Sequence, residues 1–228
     1  MTVLFLPGTL CDERVWLPVW KKLPAMARAY VPLQWANTLQ DMLALTSDRA
    51  PQGEKVHLVG YSMGGYIAAL WALTYPERVA SLTLLGYSPL GLTNEETARR
   101  KQLLAVLKQG KFASRQSQYL ANMIIPAKQD SLLPFITDMA SDLGGATLQA
   151  QVSSTTPRKD LCAKLATLKC PVHIIAADKD AVVPVASIQQ AGSKLPGATV
   201  SIVQDSGHMM LLEQPEKVAS LIVKGLSL

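Results

Sequence analysis

Residues 56–65 read Val56-His57-Leu58-Val59-Gly60-Tyr61-Ser62-Met63-Gly64-Gly65. The apolar run at 56–59 predicts a buried strand, and the run at 66–75, which ends before Pro76, predicts a helix. Between them, residues 60–64 fit the pattern G-x-S-x-G, which places a serine on a sharp turn from strand to helix. The flanking glycines let the strand and the helix approach that turn. The stretch therefore predicts a strand–turn–helix unit that exposes Ser62, and an ordinary glycine-rich turn is the alternative.

Strand and helix patterns alternate on both sides of this unit. The predicted strands lie at 3–6, 29–33, 56–59, 79–85, 172–176 and 199–203, and the predicted helices between them include 14–23, 38–49, 184–195 and 215–225. Alternation of this kind indicates an α/β fold, with a mostly parallel sheet of about six strands and helices on both faces. Residues 88–160 carry helical patterns with few strand signals, which predicts a helical lid inserted over one end of the sheet. The whole chain, 1–228, is predicted to be a single domain.

Composition excludes several classes of protein. Of the 228 residues, 49% are apolar and 17% are charged, so the chain can bury a core and is not a disordered protein. No apolar run approaches the roughly 18 to 20 residues of a membrane span. The net charge of +5 is spread along the chain apart from Arg99-Arg100-Lys101, which predicts solvated surface or mild attraction to an anionic substrate. Without a dense basic stripe, no nucleic-acid partner is predicted.

Cysteine usage and the N-terminal residues bear on location. Cys11, Cys162 and Cys170 are too few and too scattered for a disulfide framework, so free thiols in a reducing compartment are expected. The N-terminal apolar run has no basic residues before it and ends at Pro7-Gly8, which indicates a strand entering a turn and not a signal peptide. The expected location is cytoplasmic.

A serine nucleophile needs a base, and the chain has three histidines. His57 and His173 lie inside predicted strands and are interpreted as structural. His208 follows Gly207 in a loop between the last predicted strand and the last helix. We therefore predict that His208 is the base.

The base needs a carboxylate to orient its ring and stabilise the imidazolium. Asp178 and Asp180 both follow the predicted strand at 172–176. Asp180 is favoured because it lies further beyond the strand end, where active sites of open α/β sheets are found. Asp178 is the candidate for capping the turn, and Asp205, three residues before His208, is the fallback acid.

The remaining candidates surround the serine. The backbone N–H of Met63, the residue after Ser62, is predicted to be one oxyanion donor, and the loop after the first strand is predicted to supply the other. In that loop Thr9 is the first choice and Leu10 the second, and Leu10 and Tyr61 are predicted to contact substrate. Cys11 also lies there, but no base is assignable to it, so it is interpreted as a packed thiol.

These motifs together resemble the α/β-hydrolase superfamily over nearly the whole chain. The resemblance rests on the turn at 60–64, on Asp180 with the following Val182-Val183-Pro184, on Gly207-His208, and on the segments Leu195-Pro196-Gly197-Ala198 and Gln214-Pro215-Glu216. The order serine, acid, histidine is that of the superfamily. Within that superfamily the chain resembles the small cofactor-free carboxylesterases, such as those that cleave pimeloyl-carrier methyl esters. Two departures are Pro7-Gly8 in place of a frequent His-Gly pair, and the expected absence of the superfamily's N-terminal hairpin.

The resemblance implies a serine hydrolase that cleaves a small-molecule carboxylic ester or thioester, with no cofactor and no metal. A hydrolase or lyase acting on a carbon–carbon bond with the same three residues is one alternative, and a non-catalytic small-molecule receptor is another. The sequence makes no prediction of the oligomeric state. Apolar side chains of the predicted lid suggest either an acyl pocket or packing against the core; they are Met123, Ile124, Leu132, Leu133, Phe135 and Met139.

Overall fold

The computed structural model of the protein describes residues 1–110 and 116–226. In that part of the chain, six strands form one sheet in the order β2-β1-β3-β4-β5-β6, and every neighbouring pair is parallel. The strands are β1 (Thr2–Leu6), β2 (Arg28–Tyr30), β3 (Val56–Tyr61), β4 (Val79–Leu85), β5 (Val172–Ala177) and β6 (Thr199–Val203). The predicted α/β class and the predicted parallel six-stranded sheet are confirmed.

Helices cover both faces of the sheet. The described α-helices are α1 (Leu17–Trp20), α2 (Leu39–Arg49), α3 (Met63–Thr74), α4 (Asn94–Lys108), α5 (Gln116–Ala121), α6 (Pro126–Ser154), α7 (Cys162–Leu165), α8 (Val185–Ser193), α9 (Met210–Glu213) and α10 (Pro215–Gly225). Buried residues of α2, α3 and α8 belong to the core on one face, and those of α1, α9 and α10 belong to the core on the other.

Side chains that point alternately to the two faces of each strand produce these two cores. In β1, Leu4 and Leu6 pack into the core with α3, whereas Val3 and Phe5 pack into the core with α10. Successive side chains of a strand point to opposite faces, so a strand that is covered on both faces is apolar at almost every position. The continuous apolar runs in the sequence are explained by this double coverage.

Two helix starts follow from local sequence. Thr38 accepts the N–H of Asp41, whose carboxylate accepts the N–H of Thr38, and Thr93 and Glu96 form the same capping box before α4. Each box satisfies backbone donors that would otherwise be unpaired at a helix start. The start of the predicted helix at 38–49 therefore agrees with the structure.

Prolines explain two differences from the predicted elements. The helix expected at 14–23 is instead a 3₁₀ turn at Glu13–Val15 followed by α1, which has Pro18 in its first turn. Proline has no N–H to donate backwards and is tolerated best in the first turn of a helix, so Pro18 favours a helix that begins at Leu17 over one that begins at Arg14. The strand expected at 29–33 ends at Tyr30, two residues before Pro32.

Helices α4–α7 occupy the interval between β4 and β5. The longest, α6, breaks at Gly144, where φ is 76° and ψ is 173°. Its two ends contact loops at the carboxyl edge of the sheet: the Ile125 N–H reaches Glu213 beside the loop after β6, and Gln151 reaches Leu10 in the loop after β1. The described residues of the segment 88–160 therefore lie beside the carboxyl edge of the sheet. Residues 111–115 of this segment lie outside the described part of the chain. Its function as a lid remains a prediction.

None of the described helices is both long and apolar enough to cross a membrane.

Candidate active site

Ser62 occupies a strained turn between β3 and α3. Its φ of 52° and ψ of −114° lie in a region that a residue with a β carbon rarely adopts. The neighbouring glycines make the turn possible, because a β carbon at Gly60 would collide with the Gly64 carbonyl, and one at Gly64 would collide with the Leu6 carbonyl of β1. The turn holds Ser62 half-buried at the carboxyl edge of the sheet.

His208 links Ser62 to Asp180. Its Nε2 lies 3.0 Å from the Ser62 Oγ, and its Nδ1 lies 2.7 Å from the Asp180 Oδ2. The histidine and the aspartate are both buried, with 3% and 8% of their surface exposed. The other carboxylate oxygen of Asp180 accepts the N–H groups of Val182 and Val183, each at 2.8 Å. Two backbone donors therefore fix the carboxylate with one oxygen aimed at the imidazole.

The other two candidate acids have different partners. The Asp178 Oδ1 accepts the Ser206 N–H at 3.0 Å, so this residue braces the loop that leads to His208. Asp205 is exposed and pairs with Lys179 at 2.8 Å. Of the three carboxylates considered from the sequence, Asp180 is the one bonded to the His208 ring.

His57 and His173 lie within the sheet. The His57 Nδ1 is 2.8 Å from the Ser81 Oγ of β4, and the His173 Nε2 is 2.8 Å from the Ser201 Oγ of β6. Burial lowers the pKa of both rings, that of His173 to about 4, with the charge of Lys224 as a smaller cause. Both histidines are neutral, buried members of cross-strand pairs.

Thr9 and Met63, the predicted oxyanion donors, approach Ser62 from different elements. Met63 is the first residue of α3, where N–H groups have no partner within the helix. Thr9 follows Gly8, and a β carbon on Gly8 would lie 3.3 Å from the Ser62 Cβ, so the loop backbone passes close to the serine. Within residues 1–110 and 116–226, neither N–H donates to a protein acceptor. Both are therefore available to an oxygen atom of a substrate.

The N–H of Leu10, the alternative donor, already has an acceptor within the protein. Its N–H donates to the Gln151 Oε1 at 2.9 Å, and its φ is 50°. Of the two candidate donors in this loop, the Thr9 N–H is the one without a protein acceptor in the described part of the chain. The Leu10 side chain is buried, and it shares its core with Ile136 and Met139 of α6.

Tyr61 and Cys11 are both buried next to the site. The Tyr61 hydroxyl donates to the His208 carbonyl oxygen at 2.8 Å, and its ring centre lies 5.3 Å from that of His208. In this structure Tyr61 thus packs beneath the histidine loop, and its contact with substrate remains a prediction. Burial, and secondarily Asp12, raises the pKa of the Cys11 thiol to about 12, so this cysteine is not a thiolate nucleophile.

The apolar side chains of the predicted lid mostly pack inward. Ile124 and Met139 are buried in the core that also holds Tyr61 and Met209, whereas Phe135 keeps 37% of its surface exposed. Met123, Leu132 and Leu133 are partly buried against the same core. Packing therefore accounts for most of this apolar set.

Two polar residues that border the site were not predicted. Glu213 is 1% exposed and accepts the Ser206 hydroxyl and the Gly207 N–H beside His208. Gln151 is fully buried against the loop after β1. The available signal for Glu213 was its position as a charged residue directly after the apolar run 209–212. Gln151 lies in an ordinary helical sequence, which contains no signal of a functional role.

Metal-ligating side chains do not cluster in the described part of the chain. Among those residues, no group of three or more His, Cys, Asp or Glu side chains is arranged to hold a metal ion.

The chain is similar to known proteins in sequence and in structure. The family model of the α/β-hydrolase fold matches residues 36–215. The chain is 27% identical over 188 residues to the monoacylglycerol lipase ABHD6 of Homo sapiens. The aligned region covers 73% of this chain and 53% of the lipase. The chain is 28% identical over 179 residues to a Bacillus subtilis protein named provisionally as a 2-succinyl-6-hydroxy-2,4-cyclohexadiene-1-carboxylate synthase, which covers 74% and 64%. The chain thus spans about half the length of the lipase and somewhat less than two thirds of the bacterial protein.

Solved structures show the same fold. An esterase from Exiguobacterium antarcticum superposes with a TM-score of 0.83 at 18% identity, covering 100% of this chain and 92% of the esterase. A thermophilic esterase from Thermogutta terrifontis gives a TM-score of 0.79 at 20% identity, covering 100% and 89%. The carboxylesterase subgroup stays a prediction. Because the family model matches most of the chain, the chain belongs to the α/β-hydrolase fold family.

Proposed function

We propose that the protein is a serine hydrolase that cleaves a small-molecule carboxylic ester or thioester through an acyl-enzyme intermediate. The observation that carries this proposal is the position of His208, whose two ring nitrogens lie 3.0 Å from the Ser62 hydroxyl and 2.7 Å from the Asp180 carboxylate. A hydroxyl, an imidazole and a carboxylate in this order form the arrangement that activates serine as a nucleophile.

In the first half of the reaction, the Ser62 Oγ attacks the acyl carbonyl carbon while His208 Nε2 takes the hydroxyl proton. Asp180 accepts the Nδ1–H of His208, which sets the tautomer and balances the imidazolium charge. The negative oxygen of the tetrahedral intermediate is bound by the N–H groups of Thr9 and Met63. The intermediate collapses, the bond to the leaving group breaks, and His208 protonates the departing alcohol or thiol.

In the second half, water attacks the acyl-serine and gives its proton to His208 Nε2. The new tetrahedral oxyanion is bound by the same two N–H groups. Its collapse releases the carboxylic acid and returns the proton to the Ser62 Oγ. Every step uses groups of the chain and water. The start of α3 adds a favourable field for the oxyanion, because helix N-termini attract negative charge.

Similarity to named proteins supports an ester substrate. A relative matched over 73% of this chain is named a monoacylglycerol lipase, and two proteins of the same fold are named esterases. Helices α4–α7 adjoin the site on the side where substrate enters an open α/β sheet. We therefore assign the segment 88–160 as a lid within a single domain, 1–228.

A carbon–carbon bond hydrolase or lyase is the second candidate. It is supported by the provisional name of the Bacillus subtilis relative, a synthase named for a cyclohexadiene carboxylate. The two candidates share Ser62, Asp180 and His208 and differ in the bond that breaks. Release of an alcohol or thiol from an acyl compound favours ester or thioester cleavage.

The proposal is tested with a fluorophosphonate probe and with p-nitrophenyl esters of increasing acyl length, run in parallel with acyl-CoA thioesters. Ser62→Ala should abolish labelling and lower kcat by about 10³-fold or more, because the three residues act as a unit. Ser153→Ala, a change at an exposed serine of α6, is the matched control and should behave as wild type. Near-wild-type turnover in Ser62→Ala contradicts the nucleophile assignment. A wild-type protein that neither labels nor turns over would instead favour the receptor alternative.

A further inference from the structure

The peptide unit between Thr9 and Leu10 is held on both sides. Its N–H, from Leu10, donates to the Gln151 Oε1 at 2.9 Å, and its carbonyl oxygen, from Thr9, accepts the Cys11 thiol at 3.5 Å. A peptide unit is planar, so two contacts on opposite edges fix the rotation of the whole plane. This plane follows immediately after the Thr9 N–H that the proposed mechanism uses.

The conformation that this contact holds is an unfavourable one. Leu10 has a φ of 50°, in the left-handed region where a β carbon crowds the following carbonyl oxygen. Such conformations persist only where the surrounding structure enforces them, and they cluster at functional sites. Gln151 is 141 residues away along the chain and lies on the C-terminal arm of α6, so the enforcing contact comes from the inserted helices.

Gln151 is an unusual residue to bury for packing alone. It has no exposed surface, and in the described part of the chain its Nε2 has no hydrogen-bond partner. A buried donor without a partner destabilises the folded state. An apolar side chain would fill the same volume without this penalty but could not accept the Leu10 N–H. The acceptor oxygen is therefore the feature of Gln151 that the loop needs.

We propose that Gln151 is a positioning residue of the oxyanion hole. By accepting the Leu10 N–H, it holds the loop after β1 so that the Thr9 N–H points toward the oxygen bound at Ser62, and it withdraws the Leu10 N–H from that role. The catalytic consequence of this inference rests on the proposed serine-hydrolase function. The position of the loop does not, and it can be measured separately.

The test compares three variants. Gln151→Met keeps a similar volume but removes the acceptor oxygen, whereas Gln151→Glu keeps an oxygen able to accept the Leu10 N–H. Val152→Ala shortens the next side chain of the same helix, which is 3% exposed, and serves as the control for simple loosening of α6. Each variant is first assayed by thermal unfolding, so that activity is compared only at temperatures where the protein is folded.

Hydrogen exchange of the Leu10 amide is the first readout. We expect exchange to become faster in Gln151→Met and to stay near the wild-type rate in Gln151→Glu and Val152→Ala. The second readout is kinetic: Gln151→Met should lose about 10- to 100-fold in kcat on p-nitrophenyl acetate, part of the 10²- to 10³-fold that one oxyanion donor contributes. KM should change little, and the affinity for a trifluoromethyl ketone, which forms a tetrahedral oxyanion, should fall in parallel with kcat.

The outcomes separate the two proposals. Unchanged Leu10 exchange in Gln151→Met overturns the inference, and so does a kcat equal to that of Val152→Ala. A rise in KM alone overturns it as well, because that pattern belongs to a substrate contact. If the wild-type protein hydrolyses no ester while Leu10 exchange responds as expected, the positioning of the loop stands and the proposed hydrolase function fails.

Discussion

The buried carboxylate of Glu213 accepts the backbone N–H of Gly207, the residue before His208, at 2.5 Å. The same carboxylate accepts the Ser206 hydroxyl at 2.8 Å and the Ile125 N–H at 2.7 Å. Glu213 therefore joins the loop that carries His208 to the start of α6. A buried charge with several hydrogen-bond donors is stable only while those donors remain in place.

Glu213→Gln should reduce both stability and activity. The amide has one acceptor oxygen and one NH₂ group, and the NH₂ group cannot accept from Gly207 or Ser206. We expect the free energy of unfolding to fall by about 2 to 3 kcal/mol, because buried donors lose a charged acceptor. Urea denaturation measures the first effect, and ester turnover of the folded protein measures the second. The control is Glu216→Gln, at an exposed side chain paired with Lys22, which should leave both unchanged. Equal behaviour of the two variants would contradict a special role for Glu213.

The two aspartates after β5 should differ in their effect on activity. Asp180→Asn keeps the shape of the side chain but can stabilise the wrong tautomer of His208 and cannot balance its positive charge, so kcat should fall by about 10³- to 10⁴-fold. Asp178→Asn removes a charge from the bond to the Ser206 N–H and should lower kcat by less than about tenfold. Both variants should be compared at saturating substrate. A larger loss in Asp178→Asn would reverse the assignment of the acid.

The parts of this molecule that were predictable are those that short sequence patterns encode. Apolar runs located the strands, and G-x-S-x-G located the turn at Ser62, because both depend on neighbours in the chain. Asp180 and His208 follow strands and so could be placed at the same edge of the sheet. The contact between Gln151 and Leu10 joins residues 141 positions apart, and its formation depends on how α6 bends at Gly144. Nothing local in the sequence indicates where that helix arm will lie.

The buried His173 should make stability depend on pH. Burial, with Lys224 as a smaller cause, lowers the pKa of His173 to about 4, whereas the same residue in the unfolded chain titrates near its ordinary value of about 6.5. Below pH 6.5 the unfolded state therefore binds a proton that the folded state does not. The free energy of unfolding should fall as the pH is lowered from about 6.5 to about 4, and this contribution should level off below pH 4.

We expect His173 to contribute about 2 kcal/mol of this loss, taking about 1.4 kcal/mol per pKa unit and reducing the sum for partial solvent screening. Urea denaturation of wild type and His173→Gln at pH 7, 5.5 and 4 measures it. The variant should be less stable at pH 7 but should lose less stability on acidification. Parallel pH curves for the two proteins would show that another group causes the dependence.

Gly64 is the position where one added methyl group should be most damaging. A β carbon there would collide with the carbonyl groups of Leu6 and Pro7, which belong to the end of β1 and its loop and cannot rotate away like a side chain. Gly64→Ala must therefore push α3 away from the sheet, and we expect a loss of about 3 kcal/mol or more, at the upper end of overpacking effects. Gly53→Ala is the matched control, because Gly53 has a φ of 74° but no atom within 4 Å of the added carbon. Backbone strain alone should lower its stability by about 1 kcal/mol. Denaturant midpoints of the two variants separate the steric effect from the conformational one, and equal midpoints would mean that the close approach of α3 to β1 does not require glycine.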